Sequence, residues 1–142
     1  MSDYDADVLL WSEQQAALLR RMAAGERVND LVDWQNVAEE IESVGRSQLS
    51  AVRSHLVQAL LHDLKAEAWP LARDVSHWRA EARGHRSDAA EAYAPCMRQH
   101  LDLAKLYRDA LRRLPEDNDG VSPLPVPQDC PATLDELLAA EP

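Results

Sequence analysis

His55 and His62 stand seven residues apart in a stretch whose apolar residues are spaced for a helix, in register with Ile41 and Gln48. Seven residues are close to two helical turns, so these four share one seam bordering the apolar stripe. The sequence predicts both imidazoles and the glutamine to be half-buried there. Such imidazoles can hold a metal ion or relay protons, and Glu40 and Lys65, on the same segment, are the further candidates for a polar site. Geometry limits the idea. Residues seven apart lie ~10.5 Å apart along a helix axis, whereas zinc-binding nitrogens sit ~2 Å from the ion. A metal or enzyme site of this kind therefore predicts carboxylate and imidazole converging from different helices. The simpler role is that each ring is satisfied by a carbonyl or acid of a facing helix and fixes how the helices pair.

Other polar groups invite the same weighing. Glu39 and Glu42 share a helical turn and suit acid–base work or Mg²⁺, but acids near a helix N-terminus favour its dipole, and Glu42 with Arg46 is an i, i+4 pair. Glu40, beside Val37 and Val44, is expected to be a partly buried acid paired with an arginine. Cys96 and His100, four apart, would share one helical face, a possible nucleophile or half of a metal site. Arg79, Arg83 and Arg86, with His77 and His85 nearby, form a local basic patch that could dock a phosphate, an RNA or the chain's own acidic tail.

The elements that position these groups are helical. Ala and Leu are the commonest residues, and the helix formers Arg and Glu are plentiful, in a chain of 142 residues with four glycines and no phenylalanine, so propensity favours helix nearly throughout. Tyr4, Val8, Trp11, Leu18 and Met22 mark an amphipathic helix from Asp5 to Ala24, ended by Gly25. Asp33 is a suitable N-cap for a helix running through Val37, Ile41, Val44, Val52, Leu56, Ala59 and Leu60 to Glu67. That helix, roughly 50 Å long, is expected to bend at Gly45 or project beyond its neighbours. Pro70 closes it. A third helix spans Arg73–Tyr93, weakened at Gly84, and a fourth runs from Pro95 to Leu114 on a face of Met97, Leu101, Ala104, Leu111 and Leu114. Trp34 and Trp78 are expected as core anchors. The reading is an all-α bundle of about four main helices over residues 1–114. An acidic, Pro-rich tail over 115–142 is expected to dock on that bundle, with a short helix from Thr133 through Ala140 opened by a Thr133/Glu136 capping box.

Charge narrows the partners. All fifteen Lys and Arg lie at or before Arg113, while the residues after Leu114 carry seven of the 25 acids, and the net charge is −10. An acidic chain disfavours nucleic acid and anionic membrane. No leader or membrane-spanning pattern is visible, and Cys96 and Cys130 are expected as free thiols of the cytoplasm.

The run Asp33-Trp34-Gln35-Asn36-Val37-Ala38-Glu39-Glu40-Ile41-Glu42-Ser43-Val44-Gly45, with His62, Lys65, Trp78 and Cys130-Pro131-Ala132-Thr133-Leu134, resembles a bacterial family catalogued as domain of unknown function 29. The resemblance covers nearly the whole chain. It departs after Lys65, where a tryptophan is expected sooner than Trp69. It implies a small, mainly helical bacterial protein and brings no activity, substrate or cofactor. With no nucleophile, glycine loop or complete ligand set visible, no catalytic residue is assigned. The expectation is a protein-interaction or regulatory module with a protein partner or a second copy. The alternative is a metal-binding protein or enzyme using Glu40, His55, His62 and Lys65.

Overall fold

The computed structural model describes residues 3–139. The protein is all-α, with α1 at Asp3–Ala6, α2 at Val8–Ala23, α3 at Trp34–Ala68, α4 at Val75–Ala92, α5 at Leu103–Arg113 and α6 at Leu134–Leu138. Two 3-10 turns, Asn29–Leu31 and Pro95–His100, complete the helical elements. Two compact units divide inside α3: Met1–Arg46 and Ser47–Pro142. The residues from Pro115 onward fall within the second.

In the first unit the expected opening helix is broken at Asp7, whose carboxylate accepts from the backbone N–H of Leu10 and caps α2. Gly25, at φ 97°, ends α2 in the left-handed conformation that glycine adopts freely. Trp11, Val32 and Val37 form the core, with Tyr4, Leu18 and Met22 packed against it. Val8, expected on this face, is exposed instead. Asp33 is the hub: its carboxylate accepts from the Trp11 indole at 3.0 Å and the Asn36 amide at 2.8 Å, while its own backbone N–H donates to Gln15.

The Asn36 amide first, then the Trp11 indole and the Asn36 backbone, hold the Asp33 carboxyl below its ordinary 3.8, against an opposing effect of burial. A carboxyl lowered by folding contributes stability that is complete above its unfolded value and is lost as pH falls through the folded one. The stability difference between the native protein and Asp33→Asn is therefore expected to shrink as pH drops below about 3.8. Helicity measured during urea unfolding at a series of acid pH values checks this.

In the second unit α3 supplies the core. Val52, Leu56, Val57, Leu60, Leu61 and Leu64 recur at helical spacing and meet Ala89 of α4, Leu106, Tyr107 and Ala110 of α5, and Leu137 of α6. The helix is uninterrupted through Gly45, around which nothing lies within contact distance of an added Cβ. Gly84 is likewise accommodated within α4. The helix expected from Pro95 to Leu114 is two elements. Leu101 is extended, and Asp102 caps α5 by accepting from Lys105 N–H. Ala104, expected on the buried face, is exposed.

The tail is tied by named bonds. Trp69 Nε1 donates to the Val121 carbonyl at 2.8 Å, Leu124 N–H to the Ala68 carbonyl at 2.9 Å, and the Tyr107 hydroxyl to the Pro127 carbonyl at 2.6 Å. Asn118 and Val121 face each other across Asp119 and Gly120, at φ 49° and 80°. Positive φ at both central residues is the signature of a type I′ turn. Thr133 caps α6 by accepting from Glu136 N–H, and Leu137 is 1% exposed. The helix expected through Ala140 ends at Leu138, where Ala139 turns extended, and Ala140 lies outside the described residues.

A candidate histidine site and an exposed apolar seam

His55 and His62 are half-buried on α3, as their spacing predicted, while Gln48 is exposed. The ring that lies close to both comes from the facing helix. His85 of α4 has its ring centroid 5.4 Å from that of His55 and 5.6 Å from that of His62. Between His55 and His85 the two Nδ1 atoms are 3.1 Å apart. His62 Nδ1 lies 2.7 Å from the Gln58 carbonyl. A carbonyl only accepts, so that nitrogen carries a proton. Burial, followed by the neighbouring His55 and His62, pushes the His85 imidazole below the usual histidine range, against a smaller upward pull from Glu81 and Asp88. The neutral form of His85 is therefore favoured.

Asp88 stands one helical turn after His85, and a ligand atom from each of His55, His85 and Asp88 lies within 4.8 Å of the other two. This convergence of imidazole and carboxylate from two helices keeps His55 from the expected set and brings in His85 and Asp88 in place of the others. Glu40 belongs to the first unit, where it is half-buried and accepts the Tyr4 hydroxyl at 2.6 Å rather than pairing with an arginine. The Lys65 side chain makes no hydrogen bond or ion pair among the described residues, and its backbone carbonyl accepts from Trp69 N–H at 3.0 Å. The signal for the missed pair was the i, i+3 spacing of His85 and Asp88, hidden because His85 had been grouped with the arginines around it.

Those arginines are largely committed. Arg79 pairs with Asp63 at 3.0 Å, and Arg86 donates to the other oxygen of the same carboxylate. Among the described residues, Arg79 and Arg86 are thus answered by Asp63 of α3 and not by an acid of the tail. Glu39 and Glu42 both pair with Arg46, at 2.8 and 3.5 Å. Cys96 is exposed on the 3-10 turn Pro95–His100, so it does not share an α-helical face with His100. Cys130 donates to the Ala132 carbonyl, and burial pushes its thiol up. Both cysteines are free.

A second feature belongs to the first unit. Trp34 is 50% exposed, Ile41 67% and Val44 65%. These residues, spaced by seven and three, lie along one stripe of α3 with the buried Val37. The cover given by Trp11 and Val32 ends at Val37, and the stripe continues uncovered. Trp34, expected as a core anchor, is held at its edge by donating to the Asn29 carbonyl at 2.7 Å. Trp78 is a core residue, 9% exposed and packed with Trp69.

The architecture defines an all-α protein with one long helix, with an exposed apolar seam in the first unit and a histidine cluster in the second. The chain belongs to the family described as domain of unknown function DUF29, whose model matches residues 4–141. It is similar to an alpha-helical protein of unknown function from Rhodospirillum rubrum ATCC 11170, known from a crystal structure. The two are 26% identical with a TM-score of 0.64, over 97% of this chain and 90% of that one. No curated protein matches the chain. Neither likeness indicates a specific function.

Proposed function

We propose that this protein is an interaction module of the bacterial cytoplasm that takes a basic amphipathic helix of another protein along Trp34, Ile41 and Val44. The observation that carries this reading is the exposure of half or more of each of these large side chains along one stripe. Apolar residues spaced by seven and three accept a helix laid alongside, and an uncovered apolar patch on a folded unit is characteristic of a binding surface. Charge selects the occupant. Residues 1–46 carry ten acids and four bases, so a second copy would bring like charge, whereas a basic helix brings complementary charge. Free cysteines agree with a reducing compartment. No described helix is long and apolar enough to cross a membrane.

The test is affinity purification from the source bacterium in moderate salt, comparing the native protein with Ile41→Asp/Val44→Asp. Both substituted residues are exposed, so the fold is expected to survive, as circular dichroism would show. The native protein is expected to retain a stoichiometric partner whose binding segment is a basic amphipathic helix, with the variant losing at least about 100-fold in affinity, the loss of two anchors. Equal retention by the variant, a second copy as the occupant of the seam, or a monomer that holds no macromolecule and turns over a small molecule would each overturn the reading.

A further inference from the structure

The pair of nitrogens at the centre of the histidine cluster is spaced as metal ligands are. Donors about 2.0–2.1 Å from a tetrahedral ion stand roughly 3.3 Å from one another. His55 Nδ1 and His85 Nδ1 are 3.1 Å apart, and Asp88 brings a carboxylate oxygen within 4.8 Å of a ring nitrogen of each histidine. We propose that His55, His85 and Asp88 bind a divalent transition-metal ion of the zinc type between α3 and α4.

The elements give each ligand its place. His85 and Asp88, three apart on α4, lie on one face, and α3 presents His55 opposite. Donors projecting from facing helices, one pair of them at i, i+3, are how helical bundles build metal centres. Asp88 is exposed, so its carboxylate has room to close the remaining distance, and an ion can enter from that side. Water then completes the coordination. Two imidazoles with one carboxylate suit zinc and its neighbours in the transition series over magnesium or calcium, which require oxygen donors.

The surroundings fit the same assignment. A histidine that binds through Nδ1 turns its Nε2–H outward, and such a group is ordinarily held by a carboxylate. Glu81 lies on that side of His85, its Oε2 3.9 Å from Nε2 and a side-chain adjustment from a hydrogen bond. His62 stands beside the site with its Nδ1 proton engaged by Gln58. Without an ion, one Nδ1 of the close pair carries a proton that the other accepts. When the ion binds, the ring that carried this proton on Nδ1 takes up its other tautomer, with the proton on Nε2, so both rings stay neutral and both Nδ1 lone pairs face the metal.

The full chain, free of any histidine tag and stripped with a chelator, is titrated with Zn²⁺ by calorimetry and with Co²⁺ by visible absorption. The expected result is one ion per chain, a four-coordinate Co²⁺ spectrum, and ¹⁵N shifts on the Nδ1 atoms of His55 and His85. Asp88→Asn removes a charge from an exposed position and His85→Gln retains a polar side chain. Each is expected to weaken Zn²⁺ at least about 100-fold, the upper end of what losing even an outer-sphere partner costs, with helicity unchanged. If His85→Gln does not fold, Asp88→Asn decides alone. No stoichiometric ion, a proton retained between the two Nδ1 atoms at saturating Zn²⁺, or a loss below about 10-fold in a folded Asp88→Asn would overturn the proposal.

Discussion

Trp69→Ala is expected to remove about 3–5 kcal/mol of stability, the range for truncating a buried tryptophan. Trp69 is 3% exposed. Its ring packs 6.3 Å from that of Trp78, and its indole N–H holds the Val121 carbonyl at 2.8 Å. The substitution therefore empties a volume that Ala66, Ala68 and Trp78 cannot refill and releases one of the bonds that tie the tail. Against a total stability of about 5–15 kcal/mol, the loss is a large share. Trp69→Phe keeps an aromatic ring and loses only the donor, so a smaller loss is expected. Urea unfolding of the two variants separates the packing from the bond. Limited proteolysis at residues 115–131 reports the release of the tail, with Trp69→Ala expected to be cut faster than the native protein.

A second large effect is expected at Leu56, which has no exposed surface and lies among the α3, α4 and α5 side chains of the second unit. Leu56→Ala deletes buried carbon atoms at a site walled by helices that cannot collapse into the gap, and a loss of about 2–5 kcal/mol follows. Leu56→Met conserves volume and is expected to cost less than about 1.5 kcal/mol. Equilibrium unfolding in urea tests both. The midpoint should fall while the dependence on denaturant stays constant, because the surface exposed on unfolding is nearly unchanged.

Much of this architecture was legible because the signals were local. The Asp33 cap and the apolar spacing from Val52 to Leu60 place α3 without knowledge of any other residue, and Thr133 with Glu136 opens α6 in the same way. The errors arose where one residue type admits two roles. Asp7 and Asp102 interrupt apolar patterns that continue in phase on either side, so periodicity read through them, whereas each carboxylate caps a new helix. Trp34 was expected as a core anchor and is exposed, while the spacing through Ile41 and Val44 left open whether that face is packed or projects uncovered, because periodicity identifies an apolar face without saying whether anything covers it. The candidate metal site was half legible. Spacing along α3 showed only that His55 and His62 cannot readily share one ion, so that a site there would take its remaining ligands from another helix. Which side chain of α4 meets them depends on how the two helices face each other, and Arg79 and Arg86 drew attention away from His85.

The four tryptophans fall two to each unit, and their surroundings differ enough to be told apart by light. Trp69 and Trp78 are 3% and 9% exposed, so their emission should be blue-shifted and resistant to acrylamide, and their ring separation of 6.3 Å should give an exciton couplet in the far ultraviolet. Trp34, 50% exposed beside Ile41 and Val44, should emit to the red and be quenched freely. An occupant of that seam would therefore announce itself by shielding one indole from the quencher while the buried pair stays silent, giving the molecule a built-in optical reporter at the surface where binding is proposed.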